Sequence, residues 1–308
     1  MKRTKEISQS CIFCEGELLP IYHLNNFEIV QCQNCLSSTV SSYPDESVLQ
    51  SFYSGFKFQT DRKHLSRITT PAIKKWMQSL NSTKHARMLD IGGGAGFFAY
   101  AFEYFGLGNS TYIDLDTSAC AFAQNELNLK NVTCGDVKEL SKHSPNSYDF
   151  IYCRHVIEHL IHPLEMIEAS ITLLKPGGTY ILQFPNALSL EYLAYPERLK
   201  HFIKNLQTSN GFSFTKALRI HLSKQNAFGI DPIRHLWAIT PQAIGDYLNN
   251  RKDISIETKT ASVSDAIYSP YTVSSTLLEK LRAIVGRSLI SPIRGGAHAV
   301  IIIRKQKG

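Results

Sequence analysis

One stretch narrows the fold more than any other. Arg87-Met88-Leu89-Asp90-Ile91 is a short apolar run, and it stops at Gly92-Gly93-Gly94-Ala95-Gly96. Phe97 to Phe105 then reads as a helix halted by Gly106. Strand, glycine turn and helix in direct succession open a strand–helix–strand unit. The alternation continues: Thr111–Asp114 is a strand, Thr117–Leu127 a helix, Val132–Cys134 and Tyr148–Cys153 strands. Pro163–Leu174 is a helix opened by proline and closed by Lys175-Pro176-Gly177-Gly178, and Thr179–Phe184 is the next strand. Ile254–Glu257 and Ala297–Ile303 complete seven strands. Between them Ser274–Val285 reads as a helix with Leu277, Leu278, Leu281, Ile284 and Val285 on one face. Such strands, alternating with helices, predict an α/β fold with a doubly wound, Rossmann-like seven-stranded sheet.

Three regions flank or interrupt this pattern. Residues 1–42 carry two Cys-x-x-Cys pairs around a predicted hairpin, Leu18–Tyr22 and Phe27–Val30. Residues 43–82 form a connector, aromatic at Tyr43, Phe52, Tyr53, Phe56 and Phe58, then an amphipathic helix. In that helix Thr70 caps, Pro71 opens, and Ile73, Trp76, Met77 and Leu80 recur at helical spacing. Residues 83–308 form the α/β domain, in which 186–236 breaks the alternation as a helical, basic insertion or lid. A helix start at Thr240-Pro241 resumes it.

With 33 Lys plus Arg against 26 Asp plus Glu, the net charge is +7, a mild excess for 308 residues. It is concentrated between Pro196 and Lys224 and after Glu279, where seven basic residues face that one acid. Such blocks suit an anionic partner, or form a solvated face. No run of 18 uncharged apolar residues exists, so no membrane span is expected, and the charged start leads into no signal-like apolar segment. Together with three scattered cysteines, Cys120, Cys134 and Cys153, read as small core residues, this points to a reducing, cytoplasmic setting.

The glycine turn lets a ligand approach the backbone, and the helix after it offers unpaired N–H groups. Asp114 ends the next strand, 18 residues past Gly96. A carboxylate there can accept both hydroxyls of a ribose. These features call for a nucleoside-containing cofactor. Gly94-Ala95-Gly96-Phe97-Phe98-Ala99 also fits the nicotinamide fingerprint G-x-G-x-x-A. Asp90 argues against it, since a carboxylate beside a pyrophosphate is repelled, whereas a sulfonium with an ammonium group is welcome.

The residues resemble class I S-adenosylmethionine-dependent methyltransferases. Asp90 to Gly96 is similar to the family's D-x-G-x-G-x-G, Tyr112-Ile113-Asp114 to its acidic second strand, and Gly135-Asp136 to its G-D pair. Tyr148-Asp149-Phe150-Ile151, Glu158-His159-Leu160-Ile161-His162-Pro163 and Leu174 to Gly178 match three further segments in order. The likeness covers about residues 70–190, and is greatest to ubiquinone-pathway O-methyltransferases and to zinc-bearing enzymes that methylate nucleotide-linked sugars. It implies S-adenosylmethionine as cofactor. Asp90, Gly92, Gly94 and Gly96 would hold its methionine end, Asp114 with Leu115 the ribose, and Asp136 with Val137 the adenine. Asp116 reads equally as the cap of the Thr117 helix. The acceptor implied is a small molecule, anionic by the basic insertion; an RNA or protein acceptor held by that insertion is the alternative.

Cys11, Cys14, Cys32 and Cys35 form C-x2-C-x17-C-x2-C. This is the spacing of a tetrahedral, structural zinc site, with a redox dithiol as the alternative. His155, Glu158 and His159 read H-x-x-E-H, placed on one face of a helix at i, i+3 and i+4. The string alone is also a zinc-protease signature. After the fourth strand of a nucleotide-binding sheet it reads instead as acceptor-side chemistry. His155, His159 and His235 are the candidate bases, because histidine titrates near neutral pH.

Overall fold

In the computed structural model the described residues are 3–6, 10–24, 27–45, 47–49, 60–80, 85–191, 234–270 and 276–307. Residues 192–233 of the insertion expected at 186–236, and the connector aromatics Phe52, Tyr53, Phe56 and Phe58, lie outside them.

Seven strands form the main sheet: β6 (Ala86–Ile91), β7 (Gly108–Asp114), β8 (Val132–Cys134), β9 (Tyr148–Arg154), β10 (Leu174–Pro185), β12 (Ile254–Ala261) and β13 (His298–Lys305). Their order is β12-β13-β10-β9-β6-β7-β8. The first five in sequence run parallel, and β13 lies antiparallel between β10 and β12. From β6 the chain builds outward through β7 and β8, then returns to β9 on the other side. Ligands in such sheets bind at the carboxyl ends of the strands, where the order reverses.

Side chains alternate across the sheet. Leu89, Ile91, Ile151, Cys153, Leu182 and Ile301 enter one core. Met88, Phe150, Tyr152, Ile181 and Ile302 enter the other. The second core is closed by α2 (Pro71–Leu80) and α3 (Phe97–Tyr104). Thr70 accepts from the Ile73 N–H at 3.4 Å, and Ile73, Trp76 and Met77 are buried, as the periodicity requires. Trp76 meets Tyr152 and Tyr268 edge-on, each at 5.7 Å.

Four expectations are corrected. Strand β10 begins at Leu174, and Lys175-Pro176-Gly177-Gly178 is a bulge within it rather than a separating turn. Helix α5 (Val137–His143) was not expected; it is short, with Val137 its one buried residue. Cys134 is exposed rather than packed, because β8 is a three-residue edge strand. The H-x-x-E-H segment is not a helix. His155 takes a left-handed φ of 55°, and only Ile157–His159 form a 3-10 turn. Pro163 disfavours helical geometry at His162, which sits at ψ 67°, and this opposes extension of the turn.

The cysteine-bearing segment forms a second sheet of β2 (Leu18–Leu24), β3 (Phe27–Cys32), β4 (Ser38–Val40) and a distant strand, β11 (Trp237–Ala238), in the order β11-β4-β3-β2. Beside it β1 (Arg3–Glu6) pairs with β5 (Ser42–Pro44). Thr240 ties this layer to the rest. Its hydroxyl donates to the Cys35 carbonyl at 2.6 Å and accepts from Ala243 N–H at 3.2 Å, capping α7 (Pro241–Leu248). Its N–H donates to Ser37 Oγ at 3.0 Å. Phe13 packs edge-on against Trp237 at 5.3 Å.

Replacing Thr240 by Val removes a cap and leaves a buried carbonyl without its donor. Each loss is worth about 1–2 kcal/mol. At roughly 2–4 °C per kcal/mol, thermal unfolding of Thr240→Val should fall by about 4–16 °C, and Thr240→Ser should recover most of it. Equal melting of all three proteins would refute the joint role of this hydroxyl.

Candidate cofactor and acceptor site

The glycine turn is built around Asp90, 2% exposed at the end of β6. Its Oδ2 accepts from the Ala99 N–H at 3.1 Å. The turn folds so tightly over this carboxylate that a Cβ on Gly93 would lie 2.5 Å from Oδ2. At Gly92, φ is 61° and a Cβ would strike Val156 Cγ2 at 2.5 Å. Gly92 therefore lets the segment after β9 close against the turn after β6. Burial pushes Asp90 up to about 7, with the Asp114 charge adding to it.

Asp114 ends β7 beside the turn. Its carboxylate accepts from Asp116 N–H at 3.0 Å, Gly94 N–H at 3.3 Å and the Tyr112 hydroxyl at 3.1 Å. Burial raises its pKa, and these three donors oppose the rise. Tyr112 Oη also lies 2.6 Å from the Gly94 carbonyl. That hydroxyl, which the sequence reading passed over, joins the turn to the β7 carboxylate. Its one available signal was its place two residues before Asp114, on the same strand face.

Asp114 pairs with Cys134, and Gly135 N–H donates to its carbonyl at 2.9 Å, so Asp136 follows at the neighbouring strand end. Asp136 caps α5 through Lys138 N–H at 2.8 Å; Val137 is buried behind it and Leu115 stands 68% exposed. Asp116 caps α4 (Thr117–Asn125), accepting from Ser118 N–H at 2.8 Å. Asp90, Gly92, Gly94, Gly96, Asp114, Leu115, Asp136 and Val137 thus gather at the carboxyl ends of three adjacent parallel strands.

Across the switch point lies a histidine cluster. His155 Nδ1 is 3.1 Å from Glu158 Oε1, and its ring meets His298 at 5.1 Å. His159 Nδ1 lies 2.5 Å from the Arg234 carbonyl, and its ring is 4.8 Å from His235. A carbonyl accepts only, so Nδ1 of His159 carries the proton. Burial lowers the pKa of His159 and keeps it neutral, the nearby Glu158 charge opposing this. Glu158 is 1% exposed, and its Oε2 accepts no hydrogen bond among the described residues. One ligating atom each from Glu158, His159 and His235 lie within 4.8 Å of one another. The structure thus brings His159 to His235, while His155 turns to Glu158 and His298. His298 was not foreseen, because it comes from β13, far along the chain.

The four expected cysteines also converge. Cys11 and Cys35 Sγ are 3.7 Å apart, Cys14 and Cys32 Sγ 3.4 Å, and all four sulfurs lie within 4.8 Å of one another. Burial pushes Cys14 up to about 11, and the Cys11 thiol raises Cys35 further.

The methyltransferase domain family matches residues 61–251, more than half of the chain. The chain belongs to this methyltransferase family. Its sheet, its cofactor-side turn and its motifs are those of a class I S-adenosylmethionine-dependent methyltransferase, a Rossmann-like enzyme. Relatives of the methyltransferase include a ubiquinone biosynthesis O-methyltransferase of Xanthomonas campestris pv. campestris, 28% identical over 178 residues, covering 53% of this chain and 74% of that one. Another of the same name, from Burkholderia ambifaria, is 25% identical over 194 residues, covering 58% and 83%. Among solved structures, the plantazolicin methyltransferase BpumL in complex with SAH is similar, with 19% identity, 86% and 91% coverage and a TM-score of 0.47. The four cysteines, Cys11 to Cys35, precede the family match. No helix among the described residues is long and apolar enough to cross a membrane.

The Asp90 carboxyl titrates near 7 in the folded methyltransferase against an ordinary 3.8. Between those values the folded chain keeps a proton that the unfolded chain has lost, so stability falls as pH rises from about 4 to 7 and levels off above. The shift corresponds to roughly 4 kcal/mol at most. Denaturant unfolding across this range should show that slope in the wild type and a flatter profile in Asp90→Asn. Parallel profiles would remove Asp90 as the source.

Proposed function

We propose that the methyltransferase transfers a methyl group from S-adenosylmethionine to a hydroxyl or carbon acid on a small-molecule acceptor, with His155 as general base. The observation carrying this reading is the His155–Glu158 pair beside the glycine turn. With Nδ1–H donated to the buried carboxylate, Nε2 is the basic nitrogen of His155. Glu158 then stabilises the imidazolium that forms on proton uptake, as a carboxylate does behind a catalytic histidine. Bound S-adenosylmethionine supplies an activated sulfonium methyl for in-line displacement. The protein's part is to align the acceptor and remove its proton. Asp90, Gly92, Gly94 and Gly96 would cradle the methionine end, Asp114 and Leu115 the ribose, Asp136 and Val137 the adenine. His159, neutral and held by the Arg234 carbonyl, and His235 beside it, would orient the acceptor.

The reading is tested by titration with S-adenosylhomocysteine, followed by methyl transfer to a panel of phenols, catechols and nucleotide-linked sugars. Asp114→Ala should lose at least 10-fold in S-adenosylhomocysteine affinity. His155→Ala should bind it within about 3-fold of wild type, yet transfer methyl on the order of 10²–10⁴-fold more slowly. Undiminished transfer by His155→Ala would exclude it as the base.

The cysteine layer is read as a structural zinc ribbon. Tetrahedral zinc–thiolate bonds of about 2.3 Å place sulfurs roughly 3.8 Å apart, close to the spacings of 3.4 and 3.7 Å between paired sulfurs. Four thiolates leave no open position for chemistry. About one zinc per chain is expected, and chelation should lower the melting temperature. A metal-free protein of unchanged stability would overturn the assignment.

A further inference from the structure

Helix α8 (Leu277–Val285) shows an inverted arrangement. Its small residues face the protein. Ala283 is 3% exposed, and Gly286 just beyond sits so close to the body that a Cβ there would lie 2.4 Å from Glu191 Oε1. Glu191 is itself fixed, accepting from Ser262 Oγ at 2.5 Å and from Ala297 N–H at 3.1 Å. The large side chains face outward: Leu277, Leu278, Leu281, Ile284 and Val285 stand 41–75% exposed. Leu289 and Ile293 extend the surface at 64% and 67%. Among the described residues, seven of the eleven exposed large apolar side chains lie in this one stretch. Ordinary surface helices turn that stripe inward, and a concentrated exposed patch marks an interaction site.

The charge around the stripe identifies the partner. At about 100° per residue, the five α8 side chains span roughly 120° of the helix. Lys280 lies on one side of the stripe and Arg282 on the other, with Arg287 and Arg294 further along. The one acid, Glu279, is engaged in the N-terminal capping box, accepting from Thr276 N–H at 2.9 Å. An apolar stripe between cations is the pattern of a helix lying in a lipid interface, leucines among the acyl chains and basic groups at anionic headgroups. A second copy would set these cations against their own kind. Nine residues are too few to span a bilayer.

We propose that residues 277–293 form an interfacial anchor that seats the enzyme on a membrane surface carrying anionic lipid. Pro185 of β10 pairs with His298 of β13, and Glu191 follows β10, so the anchor lies at the sheet edge that bears the cofactor turn. This proposal does not depend on the identity of the acceptor or the base.

The test is flotation of the full chain with vesicles of equimolar phosphatidylglycerol and phosphatidylcholine, and with vesicles of phosphatidylcholine alone. Binding to the first should exceed binding to the second at least 10-fold and weaken with salt. The double variant Leu281→Asp, Ile284→Asp should lose at least 10-fold on the anionic vesicles. Lys280→Glu with Arg282→Glu should abolish the preference for them. Both variants should keep S-adenosylhomocysteine binding, and the aspartate variant should keep wild-type melting, since Leu281 and Ile284 are exposed. Absence of binding to anionic vesicles, or equal binding by the aspartate variant, would overturn the anchor. So would a concentration-dependent dimer, seen by sedimentation and abolished by the aspartate variant, without vesicle binding.

Discussion

A carboxylate buried at the end of a central strand is the constraint around which the cofactor side is organised. Asp90 lies among apolar strands, where a charged group is costly unless main-chain donors point at it. The Ala99 N–H does so, which requires the chain to curl back over the strand end. That curl is possible only with the small residues found there. Once made, it places Gly92 N–H on the Ile113 carbonyl at 2.8 Å and Gly94 within reach of Tyr112 and Asp114. Turn, Asp114 carboxylate and strand ends are thus one hydrogen-bonded unit.

The histidine side is held differently. Its rings rest on a single 3-10 turn and on a segment more than seventy residues away. Trp237 joins the two, donating through Nε1 to the Leu160 carbonyl at 3.1 Å. Its ring is in turn packed by Phe13 and Tyr43. The cysteine layer therefore buttresses the wall on which His159 and His235 sit, although it supplies no side chain to the cluster. This gives the layer a part in the geometry of the histidine cluster.

Much of this was legible in the sequence because its physics is local. Strands covered on both faces are continuously apolar, and a glycine turn between strand and helix has few alternatives. The glycine turn and the strand ends beside it were legible for that reason. What escaped depended on distant partners or on degenerate spacing. H-x-x-E-H has the same i, i+3, i+4 spacing on a helix and across a left-handed residue followed by one 3-10 turn, so spacing does not distinguish them. The apolar stripe of α8 has the period of a core helix, yet Ala283 and Gly286 face the core. Strand β11 is two residues long and is defined by β4, almost two hundred positions earlier.

That separation has a consequence for how the protein is made. The Ser37–Thr240 contact spans 203 residues. Ribosomes add roughly 5–20 residues per second, so the hairpin of β2 and β3 emerges on the order of 10–40 s before β11 exists to pair with β4. During that interval the edge of β4 is an open ladder, ready to pair with any strand nearby. A metal closing the four thiols early would give the layer its shape while it waits. The cysteines would then guard the nascent chain as much as the finished enzyme.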